Sequence, residues 1–137
     1  MPPSRLEESR ALSARLFQVA ERAKADFADV VAEVGLTPLQ ARTVLWLQEP
    51  SAMRSLARHL ACDASNVTGL ADRLEELGMV ERTPGDDRRV KLLRLTPRGV
   101  KLRADLADRV AAGSTVTAKL TAAERKQLAT LLDKLLA

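Results

Sequence analysis

Hydrophobic periodicity switches from helical to alternating at one point along this 137-residue chain, at Gly78. Before that glycine, apolar residues recur at intervals of three and four, the spacing of helices with one buried face. After it, Met79-Val80-Glu81-Arg82 alternates, Thr83-Pro84-Gly85-Asp86-Asp87-Arg88-Arg89 reads as a charged turn, and Val90-Lys91-Leu92-Leu93-Arg94-Leu95 returns as a strand. Two such runs joined by a glycine-containing turn predict a β-hairpin. Helical spacing resumes at Thr96-Pro97. The order is therefore four helices, a hairpin and two helices: mainly α with a small β-hairpin wing, an α+β chain.

The helices carry their own start and stop signals. The first, Ser4 to about Val34, sets Leu12, Leu16, Val19, Ala23, Phe27 and Val30 on one stripe. Some thirty helical residues span ~45 Å, more than one small domain can cover, so something else must bury that stripe. Gly35 is a stop. Thr37-Pro38-Leu39-Gln40 is a capping box with proline in the first turn, and the helix it opens runs to about Gln48 before Glu49-Pro50 ends it. Ser51 is expected to cap a third helix, with Leu56, Ala57 and Leu60 inward, closing near Ala61. After Cys62-Asp63-Ala64, Asp63 or Ser65 caps a fourth helix that runs to Leu77. Thr96-Pro97 opens a fifth, which Gly113-Ser114 weakens, and Thr121-Ala122-Ala123-Glu124 is a capping box for a sixth carrying Leu128, Leu131, Leu132, Leu135 and Leu136.

Composition removes several classes of function. At 137 residues the chain is one domain's worth of protein, or a small domain with an arm that packs on a second copy. Aromatic residues are 2% of the chain, namely Phe17, Phe27 and Trp46, so the core must be built from Leu, Val and Ala. The lone Cys62 can form neither an internal disulfide nor a CxxC knuckle, which reads as intracellular. No apolar run approaches the ~20 residues of a membrane helix, and Met1 to Arg5 do not open a signal peptide; a soluble, cytoplasmic protein is expected. With one histidine, His59, no tyrosine, and no nucleophile–base pair or paired acids, no catalytic site, metal site or cofactor is expected.

Two short helices with a three-residue break between them, followed at once by a basic hairpin, form a winged helix-turn-helix pattern. The second helix of such a pair can enter the major groove with its N-terminal residues at the base edges. Here Ser65, Asn66 and Thr68 alternate with inward Val67 and Leu70, which leaves one open polar face suited to bases or phosphates. The same Ser and Asn can instead simply cap the helix. Between Arg82 and Lys101, seven cations (Arg82, Arg88, Arg89, Lys91, Arg94, Arg98, Lys101) stand against two anions, Asp86 and Asp87, while the whole chain carries only +4. The positive charge is thus concentrated on the hairpin and its exit, where it can meet phosphates or be an ordinary solvated turn.

Leu70-Ala71-Asp72-Arg73-Leu74-Glu75-Glu76-Leu77-Gly78-Met79-Val80-Glu81-Arg82, then Asp87-Arg88-Arg89, then Leu95-Thr96-Pro97-Arg98-Gly99, resembles the MarR family of bacterial winged-helix regulators. The likeness is close from Thr37 to Gly99, and the flanking helices agree in number and length. It implies an N-terminal dimerisation helix over residues 1–34, a winged helix-turn-helix DNA-binding domain over 35–96, and C-terminal dimerisation helices over 97–137 that intertwine with a second copy. It further implies that the helix from Ala64 lies in the major groove of double-stranded DNA, that wing residues Arg88 and Arg89 contact DNA with Arg89 reaching the minor groove, that Asp87 holds the wing by pairing with an arginine, and that Arg73 faces a backbone phosphate. Gly69 stands where many members have a long basic residue, which shifts base readout to Ser65, Asn66 and Thr68. The turn between Arg82 and Asp87 is shorter than common versions.

The function implied is sequence-specific regulation of transcription, as a homodimeric repressor on a palindromic operator with half-sites about one DNA turn (~34–36 Å) apart. The resemblance also implies a small lipophilic or phenolic effector between the dimer arms and the winged domain. Phe17 and Trp46 can line such a cleft or be ordinary core, and Arg15 or Arg42 can meet a carboxylate or lie on an exposed helix face. Cys62 precedes the reading helix, where oxidation can disturb DNA binding, or it is a small apolar residue. A competing reading is a winged-helix protein-interaction module without DNA binding, which calls for an acidic or apolar reading face.

Overall fold

The computed structural model describes all residues, Met1–Ala137. Its elements, in chain order, are α1 (Arg5–Glu33), α2 (Pro38–Trp46), β1 (Ser51–Ala52), α3 (Met53–Leu60), α4 (Ala64–Glu76), β2 (Val80–Pro84), β3 (Lys91–Leu95), α5 (Pro97–Gly113), a 3-10 turn (Thr117–Lys119) and α6 (Ala122–Leu136). The chain groups into two compact units, residues 30–112 and residues 1–29 with 113–137.

The 30–112 unit is built around aliphatic side chains. Val44 and Leu47 at the end of α2, Leu56 of α3, Val67 and Leu74 of α4, Leu93 of β3 and Leu106 of α5 are all buried. Each contributes about 1.5–3 kcal/mol of transfer free energy to the folded state. No aromatic residue belongs to this core, as the composition implied. The Thr37 capping box forms: its Oγ1 accepts from the Gln40 amide at 3.2 Å, and Gln40 Oε1 accepts from the Thr37 amide at 3.0 Å. Gly35 and Gly78 adopt φ of +74° and +75° just past their helices, the left-handed geometry that ends a helix most cheaply with glycine.

Ser51 does not cap a helix. Ser51 and Ala52 pair antiparallel with Leu93 and Leu92, which turns the expected hairpin into a three-stranded sheet in the order β1-β3-β2. Helix α3 then starts at Met53, with Ala52 at its cap position and no side chain capping it. A two-residue strand is too short to show any alternation, so nothing in the local pattern reveals it. The wing strands are also shifted from the alternating runs: Thr83 and Pro84 pair with Leu92 and Lys91, and the turn narrows to residues 85–90. Pro84 is tolerated because β2 is the edge strand and a missing amide at its end breaks no interior ladder.

The expected boundaries at 34/35 and 96/97 differ from the division by contacts, which keeps most of α5 in the 30–112 unit. The reason is local and polar. Thr96 Oγ1 donates to the Gly78 carbonyl at 2.6 Å and accepts from the Gly99 amide at 3.1 Å, while the Thr96 amide donates to Met79 O at 3.0 Å. Gly99 is buried so closely on this turn that a Cβ there would overlap the Met79 carbonyl oxygen. Farther along α5, Arg103 Nε donates to Leu45 O at 3.1 Å, and Arg109 Nη1 reaches Glu33 at 2.9 Å.

In the other unit the N-terminal part of α1 and all of α6 carry exposed aliphatic side chains, among them Leu12, Leu16, Leu131 and Leu135. The Thr121–Glu124 capping box forms as the sequence predicts, with reciprocal bonds of 3.2 and 2.9 Å. Asp26 accepts from both the amide and the hydroxyl of Thr115, at 2.9 and 2.7 Å, tying α1 to the segment after α5. These bonds, the hydroxyl's first, hold the Asp26 carboxyl below its ordinary value.

Candidate nucleic-acid interface

Helix α4 buries Val67, Ala71 and Leu74 and exposes Ser65, Asn66, Thr68, Gly69 and Arg73. Its cap position is Asp63, whose side chain makes no capping bond. Neither Ser65 nor Asn66 forms a cap, so their polar groups remain available to a ligand. Thr68 differs: its Oγ1 donates to Ala64 O at 3.0 Å, which commits the hydroxyl proton to the helix and leaves the methyl group and lone pairs for contact. Gly69 has open space where a Cβ would stand, so the middle of this face is low and another backbone or base edge can approach closely.

The wing turn is held by its own backbone. The Gly85 amide donates to Val90 O at 2.8 Å, and the Val90 amide donates to Asp87 O at 2.9 Å. Asp87 accepts from the Arg89 amide at 3.0 Å through Oδ1. Its side-chain partner is thus a main-chain N–H, whereas the resemblance implied pairing with an arginine side chain. A carboxylate two residues before an amide reaches it without any long-range partner.

The count of seven wing cations overstates the free positive charge. Arg82 forks onto α4, with Nη2 at 2.6 Å from Asp72 Oδ1 and Nη1 at 3.0 Å from Glu75 Oε1, and Arg94 Nε donates to Glu81 at 2.6 Å across the strands. Arg88, Arg89, Lys91, Arg98 and Lys101 form no ion pair, and they carry the positive field of this face. Arg73 is not a free cation either, because its Nη1 lies 3.2 Å from Glu76. That pair is more than half exposed, so it costs little to exchange for a phosphate.

Residues that sequence reasoning missed complete the face. Arg54, Ser55 and Arg58 of α3 line a notch of about 340 Å³ together with Arg89. They join the wing through the β1–β3 pairing, which brings the start of α3 beside it and which no local sequence signal announces. Phe17 lines a groove with Leu16, Val19 and Leu132 in its own unit, and Trp46 lines one with Glu49, Pro50 and Ser51 in the other. Neither is core. Trp46 instead stacks on His59, with centroids 3.8 Å apart, and donates through Nε1 to Ser51 Oγ at 3.3 Å. Cys62 is partly exposed and unpaired. No group of three metal-ligating side chains occurs, and no helix is long and apolar enough to cross a membrane.

The model of the MarR family matches residues 36–91 of the chain, which hold α2 to the start of β3. The HTH-type transcriptional regulator MgrA of Staphylococcus aureus is 30% identical over 98 residues, 69% of this chain, and the matched stretch spans 64% of MgrA's length. The transcriptional repressor CouR, solved bound to a 23-mer DNA duplex, superposes with a TM-score of 0.81 at 29% identity, covering 100% of both chains. Wild-type MarR of E. coli in its apo form superposes with a TM-score of 0.75 at 25% identity, covering 92% of this chain and 96% of that one. With the winged helix-turn-helix in place and these likenesses over it, the chain belongs to the MarR family of transcriptional regulators.

Proposed function

We propose that the protein binds double-stranded DNA sequence-specifically as a homodimer and represses transcription from a palindromic operator. One observation carries the reading: α4 presents uncommitted Ser65 and Asn66 beside a low point at Gly69, next to a wing whose free charges are mostly cationic. In this reading α4 enters the major groove, Ser65 and Asn66 donate to or accept from base edges, and Thr68 offers its methyl group to a thymine. Arg88 and Arg89 meet phosphates or the minor groove, Arg73 exchanges Glu76 for a phosphate, and Asp87 keeps the wing turn closed. The DNA-bound form of CouR supports the placement. A reading face that is neither acidic nor apolar disfavours the protein-interaction module.

The dimer follows from exposed apolar surface. Leu12, Leu16, Leu128 and Leu132 line one groove within the unit formed by residues 1–29 and 113–137, and a monomer rarely leaves such a patch to water. A second copy covers it, and on likeness to the family the two reading helices of such a dimer stand about one DNA turn (~34–36 Å) apart. The site of action is the cytoplasm, with the DNA. A small lipophilic or phenolic anion completes the reading as the releasing effector, on likeness to the family.

Footprinting of the chain's own upstream DNA with purified protein tests the function. The expected result is a protected site with two-fold symmetry, and chromatography of the protein alone returns a dimer. Absence of protection at low salt overturns the DNA reading.

A further inference from the structure

The notch between α3 and the foot of the wing is lined by Ala52, Met53, Arg54, Ser55, Arg58, Arg89 and Val90. It contains three guanidinium groups and no acid. None of the three arginine side chains forms an ion pair or hydrogen bond within the chain. What sets them apart is that the three share one notch with no acid among its lining residues.

Three features of the fold assemble it. Arg54 and Arg58 are four residues apart on α3 and so share a face of that helix. Pairing of Ala52 with Leu92 brings the first turn of α3 against β3, and Arg89 stands two residues before that strand begins. Asp87 holds Arg89 by its amide and leaves the guanidinium free. The α3 N-terminus contributes as well: no side chain caps it, so its first amides and the positive end of its dipole add to the field of the arginines.

We propose that this notch is a phosphate-binding site in which Arg54, Arg58 and Arg89 hold one phosphate group, with the Ser55 hydroxyl as a further donor. A tetrahedral, multiply charged anion matches several converging guanidinium forks better than a single carboxylate does. The phosphate comes either from the DNA backbone, a source that rests on the function proposed above, or from a free phosphorylated anion. With the DNA backbone as the source, Arg89 is a clamp on the phosphate chain at the foot of the wing.

The test uses the full chain and two arms. In the first, DNA-free protein is titrated calorimetrically with inorganic pyrophosphate; in the second, DNA affinity is measured against salt concentration. Each compares wild type with Arg54→Gln/Arg58→Gln and with Arg5→Gln/Arg10→Gln, which makes the same change of charge far along the sequence. The expected result is roughly tenfold weaker pyrophosphate binding and a salt slope shallower by about 0.9, in the α3 variant only. A change in the slope alone assigns the site to the DNA backbone, and a change in pyrophosphate binding alone assigns it to a free anion. If the α3 variant matches wild type in both arms, or the control variant loses as much, the site is overturned. Should wild type bind no DNA at all, the DNA reading falls and the pyrophosphate arm alone decides the site.

Discussion

Arg82 on β2 reaches back to Asp72 on α4 across 2.6 Å, and the other arm of its guanidinium meets Glu75 one turn later on the same helix. The side chain is only 23% exposed, far less than the other paired arginines. The wing and α4 are therefore joined through one planar group, and in the proposed DNA-binding role this contact sets their relative position before binding.

Arg82→Lys tests that lock. Lysine keeps the charge but has no fork with which to hold two carboxylates at once. Exposed or half-exposed pairs contribute ~0.2–1 kcal/mol each, so folding stability should fall by at most about 1 kcal/mol. Affinity for operator DNA should fall more than stability does, because a loosened wing must be ordered during binding. Chemical denaturation and a DNA titration on the same variant measure both, and equal losses would remove the positioning role.

Gly99 and Gly69 make opposite demands. A methyl group at Gly99 runs into the Met79 carbonyl, a backbone atom that cannot swing aside, whereas nothing stands within 4 Å of the corresponding point at Gly69. Gly99→Ala should lower stability by about 2 kcal/mol or more, in the range of overpacked cores. Gly69→Ala should raise it by about 0.5–1 kcal/mol, since alanine is the better residue inside a helix. The thermal midpoints of the two variants should therefore move in opposite directions, and a shared sign would refute this account.

Much of this architecture is written locally in the chain. Thr37 with Gln40 and Thr121 with Glu124 form the boxes that their spacing announces, and Gly35 and Gly78 end helices with the positive φ that glycine allows. The exposed side of α4 was legible in part for the same reason, since Val67 is buried as its spacing announces, while Leu70, also expected inward, is only half-buried. What escaped was made by contacts distant in sequence. Strand β1 is two residues long and exists only because Leu92 and Leu93 lie beside it. The arginines of α3 join the wing through that pairing, and Arg82 counts as a wing cation until Asp72 and Glu75 are seen to neutralise it. Trp46 looked like core or cleft, and stacking on a histidine thirteen positions away cannot be inferred from helical spacing.

Acid should loosen the unit that joins the start and end of the chain. Asp26 accepts two hydrogen bonds from Thr115, and the hydroxyl bond followed by the amide bond lowers its pKa from the ordinary 3.8. A carboxyl whose folded pKa is depressed stabilises the fold fully above its unfolded value, and that contribution is lost as pH falls through the folded one. Glu7 and Glu124, lowered by bonds to Ser4 and Thr121, act in the same direction. Asp26→Asn still accepts from Thr115 and cannot titrate. Its midpoint should therefore fall less steeply below pH 3.8 than that of wild type, and parallel curves would show that this carboxylate has no part in acid unfolding.

Base readout and charge should separate on two neighbouring surfaces. Asn66 has a free amide on α4, and Arg88 a free guanidinium at the exposed tip of the wing. If Asn66 pairs with a base edge, Asn66→Ala narrows the gap between operator and random DNA by ~1–3 kcal/mol and leaves the salt dependence alone. Arg88→Ala should weaken binding to every sequence alike and make the salt slope shallower by about 1, since a phosphate contact carries no sequence information. Titrations of both variants on both DNAs, at several salt concentrations, give all the quantities at once. A specificity change in Arg88→Ala would move the wing from backbone contact to base or groove-shape readout, and a uniform loss in Asn66→Ala would move that residue to the backbone.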